Sequence, residues 1–176
     1  MAIVGLLIVV ISFPYAHVTL SRPIALITGL SDDESRRIMH SLLKNVYRSF
    51  DFRDESDVYD KLALSVQGDL LEEIYLQNRK SFTVKQAGGA QARVKEVEIL
   101  DLDVQRVGEG ALSHDFHARW TATGTVGHWG HTHVRKNMYE ARIRVEAEAG
   151  NWFITGLELL DEHRIDPATG PQLAGR

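Results

Sequence analysis

The sequence predicts an α+β fold in which N-terminal helices pack on a curved, mainly antiparallel four- to six-stranded sheet, preceded by one transmembrane helix. Three observations predict it. Apolar residues recur at helical spacing up to about residue 75, the period changes to two from Ala92 onward, and Met1 to Leu20 contains no Asp, Glu, Lys or Arg.

Of the 176 residues, those left after an apolar leader amount to about 150, the usual size of one hydrophobic core. A hydrophobic fraction of 44% with 25% charged residues is that of a packed globular chain and excludes disorder or a fibrous repeat. The net charge of −4, with Lys and Arg scattered among Asp and Glu, offers no basic stripe, so nucleic acid is not an expected partner. Cysteine is absent, which excludes disulfide staples, thiolate nucleophiles and sulfur metal ligands.

The leader comes first. Its apolar run (Ile3, Val4, Leu6, Leu7, Ile8, Val9, Val10, Ile11, Phe13) approaches the length that crosses a bilayer, Pro14 would kink such a helix, and Tyr15 and His17 suit its interfacial end. A cleaved signal peptide needs a basic n-region and a small-x-small site, and neither precedes Ala16-His17-Val18. A buried core helix so apolar would need cover on all sides. A transmembrane anchor over residues 1–20 is therefore expected, followed by a linker at 21–30, a domain at 31–165 and a disordered tail at 166–176 marked by Pro167, Gly170, Pro171 and Gly175. The membrane is the expected partner. A run that begins at Met1 leaves open that the chain is the last span and tail of a longer polytopic protein.

Ser31-Asp32-Asp33-Glu34 is a capping-box pattern with an acidic first turn, and Ile38, Leu42, Leu43, Val46, Tyr47 and Phe50 then form one amphipathic stripe. Asp54-Glu55-Ser56 opens a second helix with Val58, Tyr59 and Leu62, and after Gly68 a third carries Leu70, Leu71, Ile74 and Tyr75. Four period-two segments follow, near 92–107, 113–126, 131–148 and 151–163, joined closely enough to predict an antiparallel meander. In the first, the apolar parity switches between Val97/Ile99 and Leu100/Leu102/Val104, which predicts a β-bulge that bends the sheet. In the third, Tyr139, Ala141, Ile143, Val145 and Ala147 define a core face. The same parity carried backwards gives Asn137, Arg135, His133 and His131, a polar end to that face and the expected mouth of a pocket.

Helices followed by a long meander ending in Trp152-Phe153-Ile154-Thr155-Gly156-Leu157-Glu158, together with Tyr59-Asp60 and Gly150-Asn151-Trp152-Phe153-Ile154, resemble the nuclear transport factor 2-like (SnoaL-like) superfamily over residues 31–165. The resemblance implies a cone with a cavity at its open end, and members range from isomerases and dehydratases to cargo adaptors and membrane-tethered assembly proteins. It also implies an extracytoplasmic, periplasmic domain. Many members carry a hairpin between the early helices and the third, and no strand pair is evident there. The stretch Leu62 to Phe82 is similar to bacterial membrane proteins with a soluble C-terminal domain.

Three function classes follow. A non-catalytic binding or assembly module, meeting a protein partner or a second copy, asks least of the sequence. An isomerase- or dehydratase-like enzyme would take His131 or His133 as base and Arg135 or Tyr139 as donor at the open end. Divalent-metal binding rests on Gly127-His128-Trp129-Gly130-His131-Thr132-His133, where His128, His131 and His133 offer three imidazoles for Zn²⁺ or Ni²⁺. A hydrogen-bonded His pair in a hairpin explains the same residues, and no cofactor is otherwise expected.

Overall fold

The computed structural model describes residues 30–52, 54–86, 91–107, 112–128 and 131–165, and the side chains at 78–92 and 128 fall outside that description. The expected anchor at 1–20, the linker up to 29, Trp129 and the tail at 166–176 also lie outside the described residues. The chain divides into units Met1–Leu30 and Ser31–Arg176, and the described helices and strands all belong to the second. Among the described residues no helix is long and apolar enough to cross a membrane.

The capping box forms as its sequence requires. Glu34 N–H donates to Ser31 Oγ at 3.4 Å, while the Ser31 hydroxyl at 2.7 Å and then its N–H at 3.1 Å donate to Glu34 Oε2 and hold that carboxyl below its ordinary range. Helix α1 (Asp32–Ser49) then buries Ser35, Met39, Leu42 and Leu43, with Ile38, Val46 and Tyr47 half-buried. Helix α2 (Glu55–Leu62) buries Val58 and Leu62. Helix α3 (Asp69–Gln86) begins after Gly68, whose φ of 67° lies in the left-handed region that glycine enters without cost. Between α2 and α3 there is no hairpin. Instead Val66 makes a single parallel bridge to Ile154, with Gln67 N–H donating to Ile154 O at 3.0 Å and Ile154 N–H to Ser65 O at 2.8 Å.

The sheet has four strands in the order β1-β2-β3-β4, all antiparallel: β1 (Gln91–Val107), β2 (Ser113–His128), β3 (His131–Glu148) and β4 (Asn151–Ile165). Among the described residues, three helices on a four-stranded antiparallel meander form the α+β architecture the periodicity predicts. The turn from β3 to β4 carries positive φ at both Ala149 (48°) and Gly150 (83°), the backbone twist that tight hairpins favour.

The register of β1 slips at Lys95 and again at Leu100. The second slip is the parity switch seen in the sequence: Val97 and Ile99 face inward before it, Leu102 and Val104 after it, and Leu100 itself is the extra residue, exposed at 41%. Leu100 therefore does not join the core set its parity suggested. Strand β4 slips twice as well, at Thr155 and Leu160, with no such warning in its sequence.

Phe116, Ala118, Trp120 and Ala122 from β2, with Ala141, Ile143 and Val145 from β3, meet Met39, Leu42, Leu43, Val58 and Leu62 from the helices in one core. Each large apolar side chain removed from water here contributes about 1.5–3 kcal/mol.

Candidate functional site

The inner face of β3 changes character along its length. Its apolar half lies under the helices, while Asn137, Arg135, His133 and His131 continue the same face toward the strand's start. Asn137 is 7% exposed and Tyr139 half-buried, but Arg135, His133 and His131 are exposed. Where the two regimes meet there is a cavity of about 250 Å³. Its polar lining comes from Arg135, Asn137 and Tyr139 of β3, Glu162 of β4 and Arg93 of β1, with Ala122, Gly124 and Val126 of β2 as its floor.

Asn137 is the hub. Its amide donates to Glu162 Oε1 at 2.9 Å and to Tyr139 Oη at 3.1 Å, while its carbonyl oxygen accepts from Arg135 Nε at 2.9 Å. The Tyr139 ring stacks on Trp120, with centroids 5.4 Å apart and planes 19° from parallel. Trp120 Nε1 donates to Tyr47 Oη at 3.0 Å, which links the network to α1. Burial raises both phenols above their ordinary range, and for each the Glu162 carboxylate adds to the rise. Both tyrosines therefore stay protonated at neutral pH and can serve as donors.

Gly124 is required where it stands, because a Cβ there would run into the carbonyl oxygen of Arg93 on the neighbouring strand. Arg93 is in turn fixed by Asp51, just beyond α1, with Nε to Oδ1 at 3.1 Å.

The structure thus gathers three of the five expected pocket residues, Arg135, Asn137 and Tyr139, around one cavity. His131 and His133 lie beyond its lining. His128, expected in a turn, is the last residue of β2 and pairs with His131; its side chain is outside the described residues. Among the described residues no three His, Asp or Glu side chains are placed to hold a metal ion. His117, on the opposite face, contacts Glu140 at 2.7 Å, and Asp115 takes both ends of Arg144 at 2.8 and 3.0 Å. That guanidinium holds the Asp115 carboxyl below its usual range. The Asp115–Arg144 pair, with Arg142–Glu158 at 3.0 Å, lines a larger depression of about 700 Å³ on the outer face. Four of its charged groups, Asp115, Arg142, Arg144 and Glu158, are already paired with one another, which makes it a poorer candidate than the inner cavity.

Sequence reading missed Glu162, Arg93, Tyr47 and the role of Trp120. Glu162 lies opposite Tyr139 on the inner face; the slips of β4 at Thr155 and Leu160 cancel in parity, so Glu162 shares the face of Trp152 and Ile154, and what the slips change is which β3 residue it meets.

No protein-family model and no curated protein matches the chain. Among solved structures it is similar to the intermembrane space region of the chloroplast protein ARC6, at 15% identity over 70% of this chain and 95% of that one, with a TM-score of 0.48. It is also similar to an NTF-2-like protein of unknown function from Shewanella oneidensis, at 15% identity over 72% of this chain and 98% of that one, with a TM-score of 0.36. A de novo designed β-sheet protein is similar at 12% identity over 80% of this chain and 96% of that one, with a TM-score of 0.35. At these scores the likenesses carry nothing about function.

Proposed function

We propose that this chain is a membrane-tethered, nuclear transport factor 2-like binding or assembly module that captures a ligand or partner segment in the Arg135–Asn137–Tyr139–Glu162 cavity without transforming it. The observation that carries this reading is the saturation of Asn137: both amide hydrogens and the carbonyl oxygen are engaged by neighbours that line the same cavity. These bonds hold the buried Asn137 amide in one orientation before anything binds, which lowers the ordering cost of recognition.

The tether is supported by the charge-free, apolar run from Met1 to Leu20. With it goes placement of the domain outside the cytoplasm, as the family resemblance implies. An isomerase- or dehydratase-like enzyme is the second reading, favoured by one observation: Glu162 brings a carboxylate to the cavity that also holds Tyr139. Saturation-transfer NMR screening of polar fragments against the full chain separates the two. Binding modules yield fragments that are released unchanged and lose affinity in Asn137→Ala. Conversion of a bound fragment, abolished in Glu162→Gln, would establish the enzyme instead.

A further inference from the structure

Helix α1 carries Arg36, His40, Lys44 and Arg48 at successive i, i+4 positions, a row of basic residues inclined to the helix axis beside the buried stripe of Ser35, Met39 and Leu43. Because the row borders β1, it walls a groove. Arg36 reaches across to the carbonyl of Ile99 at 3.4 Å, and further along His40, Lys44 and Arg48 face Lys95 over a cleft of about 320 Å³. Lys95 is the extra residue of the first β1 slip, so the bulge gives β1 a cation at this wall. Glu96 is the one carboxylate in the lining.

Pairing varies among the exposed cations of the described residues: Arg119 and Arg164 also meet no carboxylate, and the groove differs in gathering several such residues around one cleft. On the outer face Arg142, Arg144 and His117 each meet a carboxylate, and Lys136 meets Glu98. His40, Lys44, Arg48 and Lys95 meet none among the described residues. Like charges at i, i+4 weaken a helix, and this chain has 24 acidic side chains from which partners could have been drawn. Leaving the array unpaired makes physical sense if an anion completes it.

We propose that the α1–β1 groove binds an extended acidic peptide segment of a partner protein. The spacing fits: cations at i, i+4 on a helix recur about every 6 Å, and alternate side chains of an extended peptide about every 6.6 Å. Carboxylates at alternate positions would therefore meet Lys44 and Arg48 in turn, with Lys95 opposite. Single-stranded nucleic acid fits less well, because the groove offers no exposed aromatic on which bases stack; Tyr47, its one aromatic, is committed to Trp120. The groove shares Val94 with the Asn137 cavity, but none of His40, Lys44, Arg48 and Lys95 lines that cavity, so variants of those residues test the groove alone.

The test uses the full chain in phosphatidylcholine nanodiscs and a fluorescent peptide alternating glutamate and serine, followed by anisotropy and by carbodiimide cross-linking. Binding that weakens roughly tenfold in the Lys44→Glu/Arg48→Glu double variant is expected. Arg142→Glu on the outer face should leave affinity within about twofold. Cross-links should fall on Lys44 and Lys95. All of these side chains are exposed, so folding is not at issue, and matching circular dichroism spectra check it. Equal affinity in the double variant, cross-links centred on Lys61 or Lys136, or tighter binding of a single-stranded oligonucleotide or of phosphatidylserine vesicles would each overturn the proposal.

Discussion

Replacing Asn137 with alanine isolates the hydrogen-bond hub of the inner cavity. The side chain is 7% exposed and makes three hydrogen bonds, one to the Tyr139 phenol and two to the charged groups of Glu162 and Arg135. A neutral bond of this kind contributes about 0.5–1.5 kcal/mol net, and a charge-assisted one about 1.5–3 where both ends are buried. Glu162 and Arg135 are exposed and can turn to water, so their two bonds fall well below that range. The lost volume opens into an existing cavity that water can enter, which adds little. The sum is about 2 kcal/mol, a fall in Tm of about 4–8 °C for a domain of this size. Urea unfolding of the Ser31–Arg176 unit, followed by tryptophan fluorescence, reads the change through Trp120, which stacks on Tyr139. The midpoint should drop with an unchanged m-value. A loss below about 0.5 kcal/mol would refute the network as a structural unit and leave Asn137 an ordinary boundary residue.

Four further outcomes are expected from the same geometry. Gly124→Ala forces a Cβ against Arg93's carbonyl and should cost about 1–3 kcal/mol by the same unfolding assay; neutrality would mean that β1 and β2 separate freely there. Tyr47→Phe leaves the buried Trp120 N–H without its acceptor, for a loss of about 1–3 kcal/mol, and an unchanged midpoint would contradict the 3.0 Å bond. Ala149→Gly relieves a side chain at positive φ in the β3–β4 turn and should raise stability by about 0.5–1 kcal/mol in thermal melts; a lower Tm would contradict that strain. His114 is 5% exposed, packs edge-on against Trp152 and has neither ring nitrogen hydrogen-bonded; its pKa is lowered by burial and then by the charge of Arg106. The unfolded chain then takes up a proton near pH 6.5 that the native ring resists, so stability falls as pH drops through about 6.5 toward the lowered value. His114→Phe should flatten that part of the stability profile, and an unaltered slope would show that another group titrates there.

Much of the fold could be read from the chain because its signals are local. The capping box at Ser31, the helical stripe of α1 and the clean alternation from Tyr139 to Ala147 each depend on near neighbours, and each takes the form its pattern dictates. The bulge at Leu100 was visible because apolar residues lie on both sides of it. The slips at Thr155 and Leu160 were not, since β4 mixes Leu, Glu and Asp around them and its parity returns to the starting set. Glu162 shares the parity of Trp152 and Ile154, so its face was legible, but its place opposite Tyr139 was not, because that depends on the two slips. Arg93 and Tyr47 were hidden for another reason: they reach the site across contacts distant in sequence, which no periodicity reports. Met39, fully buried, escaped the predicted stripe although it sits one residue from Ile38.

The most direct test of the binding reading is the side-chain amide of Asn137 in a ¹⁵N-correlated spectrum of the Ser31–Arg176 unit, recorded while polar fragments that bind the chain are titrated. The prediction is that this pair of resonances is resolved and exchanges slowly in the free protein, then shifts with saturable binding while the fragment is recovered unchanged. Fragments that bind without moving the Asn137 amide, or that emerge chemically altered, would contradict it.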